Sequence, residues 1–132
     1  MHSNQKGIEN LKLYQRLCKL RKETFELVKE FPTEERYRLA DQLIRSTRKC
    51  PANIAEGYGR FHYKENLQYC RIARGSLYET IDHLGVAWEC NYISIEQHTM
   101  IKNEITSLLK MTNSYINYLK SLIEEKPSKP IN

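Results

Sequence analysis

Residues 95–125 contain the most regular pattern of the sequence, an apolar heptad that neither glycine nor proline interrupts. Its positions follow one another at alternating spacings of four and three residues: Ile101, Ile105, Leu108, Thr112, Tyr115, Leu119 and Leu122. This spacing places the side chains on one stripe of an α-helix. A helix on its own has nothing against which to bury such a stripe, so the pattern predicts a bundle of packed helices.

Three earlier segments carry a similar periodicity, at about residues 8–31, 33–58 and 63–90. The first is predicted to end at Phe31, because the residue before a proline avoids the α conformation. Thr33 is the predicted N-cap of the second segment. Gly57 and Gly59 are predicted to end that segment, since glycine supplies the left-handed residue that many helix C-termini require.

Each of these segments also has a predicted inward-facing stripe. The residues of the three stripes are Leu13, Leu17, Leu20, Thr24, Leu27 and Phe31; Tyr37, Ala40, Ile44, Thr47, Cys50, Pro51, Ile54 and Tyr58; and Leu67, Cys70, Ala73, Leu77, Ile81, Leu84 and Trp88. Glycine (5) and proline (4) are too scarce for the frequent turns of an all-β chain. The sequence therefore predicts an all-α fold, an up-down-up-down antiparallel four-helix bundle. We expect one domain over residues 1–132, with a frayed tail at 126–132.

The sequence gives no indication of a membrane protein or of a secreted one. It contains no run of 18 apolar residues, and its first residues lack the apolar region of a secretory signal. We therefore expect a cytoplasmic protein.

Catalytic and metal-binding patterns are also missing from the sequence. Cys18, Cys50, Cys70 and Cys90 form no C-x-x-C pair, so we expect buried free thiols. The histidines are scattered, and the stretch Gly57-Tyr58-Gly59-Arg60 lacks the spacing and the Lys-Ser/Thr of a phosphate-binding loop. The expectation is a protein that is not an enzyme and uses no metal or cofactor.

Positive charge is concentrated in the middle of the chain. The net charge is +5, and residues 42–74 alone carry seven cations against two anions, a local balance of +5. The candidate nucleic-acid contacts are Arg38, Arg45, Arg48, Lys49, Arg60, Lys64 and Arg71. The helical period puts Arg38, Arg45 and Lys49 on one outer stripe, with Arg48 nearer Asp41. The last three candidates lie on the third helix and the link before it. A solvated face with internal pairs, such as Asp41 with Arg45, would look the same.

A second surface suggests self-association. Gly75-Ser76 falls in the middle of the third helix, where glycine allows another helix to approach closely. Tyr69, Ile72 and Val86 lie partly off the inward stripe beside it. The alternative is a core stripe that is merely wide, and periodicity does not decide between them.

Several blocks of the chain together resemble one known family. They are Phe31-Pro32-x-x-Glu35-Arg36, Leu39, Gln42, Arg45-Ser46, Pro51-Ala52-Asn53-Ile54-Ala55-Glu56-Gly57-x-Gly59-Arg60 and Ala73-x-Gly75-Ser76-Leu77-x-Glu79-Thr80. The chain resembles, over about residues 8–125, the four-helix-bundle proteins named after the 23S rRNA intervening sequences in which some are encoded. The accessory variability determinant of diversity-generating retroelements is similar in fold.

The resemblance implies a non-enzymatic bundle that assembles as a homopentamer. In the retroelement members, a basic surface binds nucleic acid and the partner reverse transcriptase. Arg45 and Arg60 match the family motif and are carried over as polyanion contacts, whereas Arg48 and Lys49 depart from it. The residues expected to be structural are Pro51, Asn53, Glu56, Gly57, Gly59, Gly75, Ser76 and Glu79.

The leading expectation is accordingly a non-catalytic homo-oligomer that binds RNA or DNA, with an accessory role to a reverse transcriptase as one version. The alternative is a structural or protein-interaction oligomer, encoded in an rRNA intervening sequence, that has no affinity for nucleic acid.

Overall fold

The computed structural model describes residues 7–125, which form four α-helices: α1 (Lys12–Leu27), α2 (Leu39–Gly59), α3 (Tyr63–Glu89) and α4 (Ile95–Glu125). Three 3-10 turns lie at Ile8–Asn10, Val28–Glu30 and Thr33–Glu35. No β-strand occurs within the described residues. The prediction of an all-helical fold with four helices is confirmed. The tail predicted to fray lies outside the described residues.

The helices pack as a bundle in which α2 lies between α1 and α3, and α4 packs on α3. Along the seam between α2 and α3, Ser46 contacts Thr80 whereas Gly57 lies against Asn66. Because the α3 partner moves back along the chain as the α2 position advances, the two helices are antiparallel. The contact between α1 and α4 is the loosest of the four neighbouring pairs. Within residues 7–125, no helix has both the length and the apolar character required to cross a membrane.

The predicted inward stripes form most of the core. Every residue predicted for the stripe of α1 is buried, and Ile54, Leu77, Ile105 and Leu108 are fully enclosed. Leu43, which was not predicted to face inward, is also fully enclosed, whereas the predicted Ile44 is only partly buried. Two predicted inward residues are exposed, Tyr37 by 84 % and Trp88 by 43 %. Tyr37 precedes the first residue of α2, so the period of that helix does not extend to it. Trp88 lies in the last turn of α3, where its ring stacks on His98 with the centroids 5.3 Å apart.

The second helix begins six residues later than predicted. Thr33 starts a 3-10 turn and provides no side-chain cap. Glu35 accepts the first amide of α2 instead: one of its carboxylate oxygens accepts the Leu39 N–H at 3.3 Å. Its other carboxylate oxygen accepts the Tyr92 hydroxyl at 2.7 Å. These two hydrogen bonds, chiefly that from Tyr92, lower the pKa of Glu35. The ring of Tyr92 also packs on Phe31, so the start of α2 is set by the connection between α3 and α4.

The predicted role of Gly57 and Gly59 as left-handed helix terminators is wrong. The helix does end at Gly59, one residue after the predicted end, but both glycines are helical and no glycine within residues 7–125 has a positive φ. The left-handed residue is Phe61, with φ 58°. Gly57 is needed for a different reason: a Cβ there would lie 2.8 Å from Asn66 Oδ1 and 2.9 Å from Tyr69 Cβ. It allows α2 and α3 to approach closely, whereas a Cβ on Gly59 would meet nothing within 4 Å.

Candidate nucleic-acid interface

Many of the motif residues lie on the seam between α2 and α3. The hydroxyl groups of Ser46 and Thr80 share a buried hydrogen bond of 2.8 Å. One turn further along α2, the Lys49 ammonium lies 3.0 Å from a carboxylate oxygen of Glu79. That hydrogen bond is the main reason why the pKa of Glu79 is lowered. We define the α2–α3 seam as Ser46, Lys49 and Gly57 of α2 with Asn66, Glu79 and Thr80 of α3.

Other motif residues act within single helices. Pro51 is buried inside α2, and the helix continues past it. The Asn53 side chain donates to the Lys49 carbonyl at 2.8 Å. Ser76 is buried in α3, and its carbonyl accepts the Thr80 hydroxyl at 2.8 Å. These contacts hold helices in place and leave little for a ligand.

Arg60 is part of an internal network where α2 meets α3. Its guanidinium donates to Glu56 at 3.0 Å and to the Tyr69 hydroxyl at 2.9 Å, and it lies 4.0 Å from Glu65. The hydrogen bond to Glu56 is the main reason why the pKa of Arg60 is raised. Its carbon also sits 5.2 Å from the centroid of the Tyr69 ring, within the range of a cation–π contact. The Arg60 guanidinium is therefore already engaged by side chains of its own chain.

The seven cations predicted to contact nucleic acid, which we call the basic ridge, are divided between paired and unpaired side chains. Arg45 lies 3.8 Å from Asp41, and Lys49 and Arg60 are paired as described above. The remaining candidates form no ion pair with a carboxylate of residues 7–125: Arg38, Arg48, Lys64 and Arg71. Arg38 precedes α2, and Lys64 and Arg71 are exposed on α3. The ridge thus exists as scattered charges rather than as one continuous site.

Arg48, at the edge of that ridge, lines a cleft between α1 and α2. The cleft has a volume of about 520 Å³, and its lining residues are Gln15, Cys18, Lys19, Arg21, Lys22, Phe25, Ile44, Thr47 and Arg48. Four of these are cations, and none of the described residues that line it is acidic. Only Lys19 has an ion pair within residues 7–125, at 3.9 Å from Glu23. We call this site the basic cleft.

Sequence reasoning did not identify the three cations that α1 contributes to the basic cleft. Lys19, Arg21 and Lys22 belong to a part of the chain whose total charge is close to balanced. Their nearest acidic neighbours in sequence, Glu23 and Glu26, line a second cleft against α4, which shares Lys19 with the basic cleft. A charge count made for each helix face, rather than for each segment, would have revealed them.

The surface predicted for self-association is exposed in the single chain. Ile72 is 47 % exposed and Val86 38 %, and a Cβ on Gly75 would meet nothing within 4 Å. No helix of the described chain therefore uses the space that Gly75 leaves. Tyr69 does not belong to this surface, because it is engaged with Arg60.

The cysteines divide into two groups. Cys50 and Cys70 are fully buried, and burial raises the pKa of each thiol to about 12. The expectation of burial is wrong for Cys90, which is exposed, and Cys18 is only half-buried in the basic cleft. Among residues 7–125, no group of three or more His, Cys, Asp and Glu side chains is placed to hold a metal ion.

The comparisons with known proteins agree with this fold. The family model described as 23S rRNA-intervening sequence protein matches residues 9–114. A crystal structure from Bacteroides thetaiotaomicron, described as a protein with unknown function from the S23 ribosomal protein family, is similar at 24 % sequence identity with a TM-score of 0.74. That match covers 80 % of this chain and 95 % of the other. No curated protein matches the sequence. The matched residues include α1, α2, α3 and most of α4. The chain therefore belongs to the 23S rRNA-intervening sequence protein family.

Proposed function

We propose that this protein binds nucleic acid without catalysing a reaction, and that the basic cleft is the main contact. The observation that carries the proposal is the lining of that cleft, in which Lys19, Arg21, Lys22 and Arg48 surround a concave surface without an acidic residue among those described. Nucleic acids are the common polyanions of the cytoplasm, where we place the protein.

The unpaired state of these cations favours a phosphate ligand. A cation that already holds a carboxylate must give up that contact to bind a phosphate, whereas Arg21, Lys22 and Arg48 have no such partner within residues 7–125. Each phosphate that they neutralise releases condensed counterions, which supplies most of the binding free energy. The interaction is therefore expected to weaken steeply as salt increases.

The neighbouring face of α1, which packs towards α4, would repel the same ligand. The cleft between α1 and α4 is lined by Glu23, Glu26, Glu30 and Glu104 against only Arg16 and Lys19. Four anions and two cations leave that side with a net charge of −2. A polyanion is thus directed to one side of α1, and Arg45 on the adjoining face of α2 is expected to extend the contact, although it is partly occupied by Asp41.

The proposal includes assembly as a homo-oligomer, with the pentamer as its specific form. The supporting observation is the exposed surface around Gly75, with Ile72 and Val86 beside it. Light scattering on a sizing column tests this part. A species of five chains would support the pentamer, and a 15.7 kDa monomer would exclude it.

Within a retroelement, the same protein would serve as an accessory to a reverse transcriptase. The genomic neighbourhood tests this version. A reverse-transcriptase gene and a repeat pair beside this gene would favour it, and a position inside an rRNA gene would remove it. The structural oligomer without nucleic-acid affinity is then the competing function.

The deciding experiment is a titration of labelled single-stranded RNA and duplex DNA at low and high salt. We expect binding at low salt that is largely lost at high salt, and a strong loss in the double variant Arg21→Glu/Arg48→Glu. The control is Lys110→Glu/Lys120→Glu, which makes the same change of charge on exposed positions of α4. No binding at low salt, or equal loss in both double variants, would overturn the proposal.

A further inference from the structure

The lining of the basic cleft is apolar as well as cationic. Cys18, Phe25 and Ile44 line it together with the four cations. Phe25 is 42 % exposed, in a helix whose neighbouring surface positions are charged. A site that bound phosphates alone would need the cations but no exposed ring. The apolar side chains therefore indicate a ligand with an apolar, flat part next to its phosphate.

We propose that the basic cleft receives an unpaired nucleotide of a single-stranded nucleic acid, with the base against Phe25 and the adjoining phosphates on Arg21, Lys22 and Arg48. This inference rests on the proposed function and names its substrate class. A duplex keeps its bases paired and stacked, so only its phosphates would reach the cations. An unpaired base can leave water and stack on an aromatic ring, a contact that tolerates any base.

The size of the cleft agrees with this ligand. Its volume of about 520 Å³ lies within the range of roughly 300–1,000 Å³ that is typical of small-molecule sites. The cations come from both helices, three from α1 and one from α2, so the phosphates on either side of one base can both be held. The cleft is thus built for a nucleotide within a strand rather than for an isolated phosphate.

Phe25 also contacts a cation that does not line the basic cleft. The Lys29 ammonium lies 5.0 Å from the centroid of the ring and is itself held by Glu26 at 3.2 Å. Lys29 lines an adjoining cleft together with Pro32 and Arg36, to which Phe25 also contributes, but it does not line the basic cleft. The ring therefore belongs to the lining of both clefts, and a base would approach it from the one that Lys29 does not line.

The test uses three labelled ligands with the same number of phosphates: a single-stranded oligonucleotide, the same strand with abasic residues throughout, and a hairpin duplex whose loop is abasic. Fluorescence anisotropy at low salt measures the dissociation constants. We expect the normal strand to bind about 5- to 100-fold more tightly than the abasic strand, the range that stacking of a base on an aromatic ring supplies. The hairpin should bind like the abasic strand.

The variant Phe25→Leu removes the ring but keeps an apolar side chain. It should weaken binding of the normal strand to the level of the abasic strand and leave the abasic strand unaffected. Phe61→Leu is the matched control, because Phe61 is 85 % exposed and lies outside the basic cleft. A thermal melt followed by circular dichroism checks that both variants are folded. A nucleoside monophosphate should compete only at far higher concentrations than the strand.

The outcomes separate this inference from the proposed function. If none of the three ligands binds at low salt, both are overturned. If all three bind equally, and Phe25→Leu lowers only the melting temperature, nucleic-acid binding stands and the site for a base is overturned. Competition by the free nucleotide at strand-like concentrations would also overturn it, in favour of a mononucleotide site.

Discussion

The two sides of α2 differ in what they do with charge and space. The α2–α3 seam is closely packed, its Lys49 is paired with Glu79, and it contains much of the family motif. The basic cleft on the other side is open, and Arg48, the residue next to Lys49, has no carboxylate partner within residues 7–125. The motif residues Ser46, Gly57, Glu79 and Thr80 thus lie where α2 packs on α3, whereas Arg21, Lys22 and Arg48, without a carboxylate partner within residues 7–125, line the basic cleft.

The largest expected effect is on the seam, from Gly57→Ala. The added Cβ would lie 3.1 Å from the Asn66 Cα, which is backbone and cannot turn aside, so the helices must separate. Overpacking costs about 1–3 kcal/mol, and contact with the rigid Tyr69 Cβ and Asn66 Cα places this variant in the upper part of that range, so about 1–2 kcal/mol remains after the gain of roughly 1 kcal/mol in helix propensity. We expect a net loss of free energy of unfolding, measured by urea denaturation.

Gly59→Ala is the control for this prediction. It brings the same gain in helix propensity without a neighbour within 4 Å, so it should leave stability unchanged or raise it by up to about 1 kcal/mol. Equal effects of the two variants would show that the close approach at Gly57 does not constrain the seam. If Gly57→Ala lowered nucleic-acid affinity in a protein of unchanged stability, the division between the two sides of α2 would be wrong.

The next effect is expected for Ser46→Ala. The variant removes the hydrogen bond across the seam, while the Thr80 hydroxyl keeps its bond to the Ser76 carbonyl, so the cost is about 0.5–1.5 kcal/mol. The double variant Ser46→Ala/Thr80→Val removes both hydroxyls and should recover part of that loss. Urea denaturation of the two single variants and the double variant gives the coupling between the residues. A coupling of zero would mean that the hydrogen bond adds nothing to the seam.

The next prediction contrasts two neighbouring residues of α2 in their effect on nucleic-acid affinity. Arg48→Ala and Lys49→Ala each remove one positive charge, but only Arg48 lines the basic cleft. We expect Arg48→Ala to weaken binding of single-stranded nucleic acid about 3- to 10-fold and to reduce the slope of affinity against salt by about one unit, as the loss of one phosphate contact does. Lys49→Ala should change the affinity far less.

Anisotropy titrations at several salt concentrations measure both quantities in the same assay. Equal effects of Arg48→Ala and Lys49→Ala would mean that the protein binds through its overall charge rather than through the basic cleft. A larger effect of Lys49→Ala would move the contact to the ridge on the other side of α2.

The two sides of α2 also differ in how much of their structure can be predicted from the sequence. The period of apolar residues determines which helix face is buried, so the stripes of α1 and α4 are largely predictable. The start of α2 is not, because the carboxylate that accepts the Leu39 amide is positioned by Tyr92, which is 57 residues away in sequence from Glu35. Glycine presents a similar limit: Gly57 looks like a helix end in sequence, and only the position of Asn66 reveals its packing role.

The candidate site was harder to predict than the fold for a physical reason. Whether a cation is available depends on its partner in space, and the partner of Lys49 is on another helix. Arg45 is the exception, because its partner Asp41 is one turn away and the pair can be read from the sequence. The basic cleft combines two helices, and no pattern within either one indicates that Arg21 and Arg48 line the same space.

The smallest expected effect concerns the pH dependence of the seam. The pKa of Glu79 lies below its ordinary value of 4.5, mainly because of the hydrogen bond from Lys49. A lowered pKa in the folded state contributes stability that is fully present above the ordinary value and is lost as pH falls through the lowered one. Both side chains are partly exposed, with 50 % and 42 % of their surface accessible, so solvent screens the pair and the contribution is less than about 0.5 kcal/mol.

Glu79→Gln should therefore be slightly less stable than the native chain at pH 7, and the difference should disappear in acid, below the ordinary pKa of Glu79. Urea denaturation at a series of pH values measures it, with Glu34→Gln as the control because Glu34 has no ion pair within residues 7–125. A difference that stays constant into acid would show that the Glu79 charge is not what holds Lys49. The Lys49 ammonium would then be free to bind phosphate, and the contrast between the two sides of α2 would be one of packing alone.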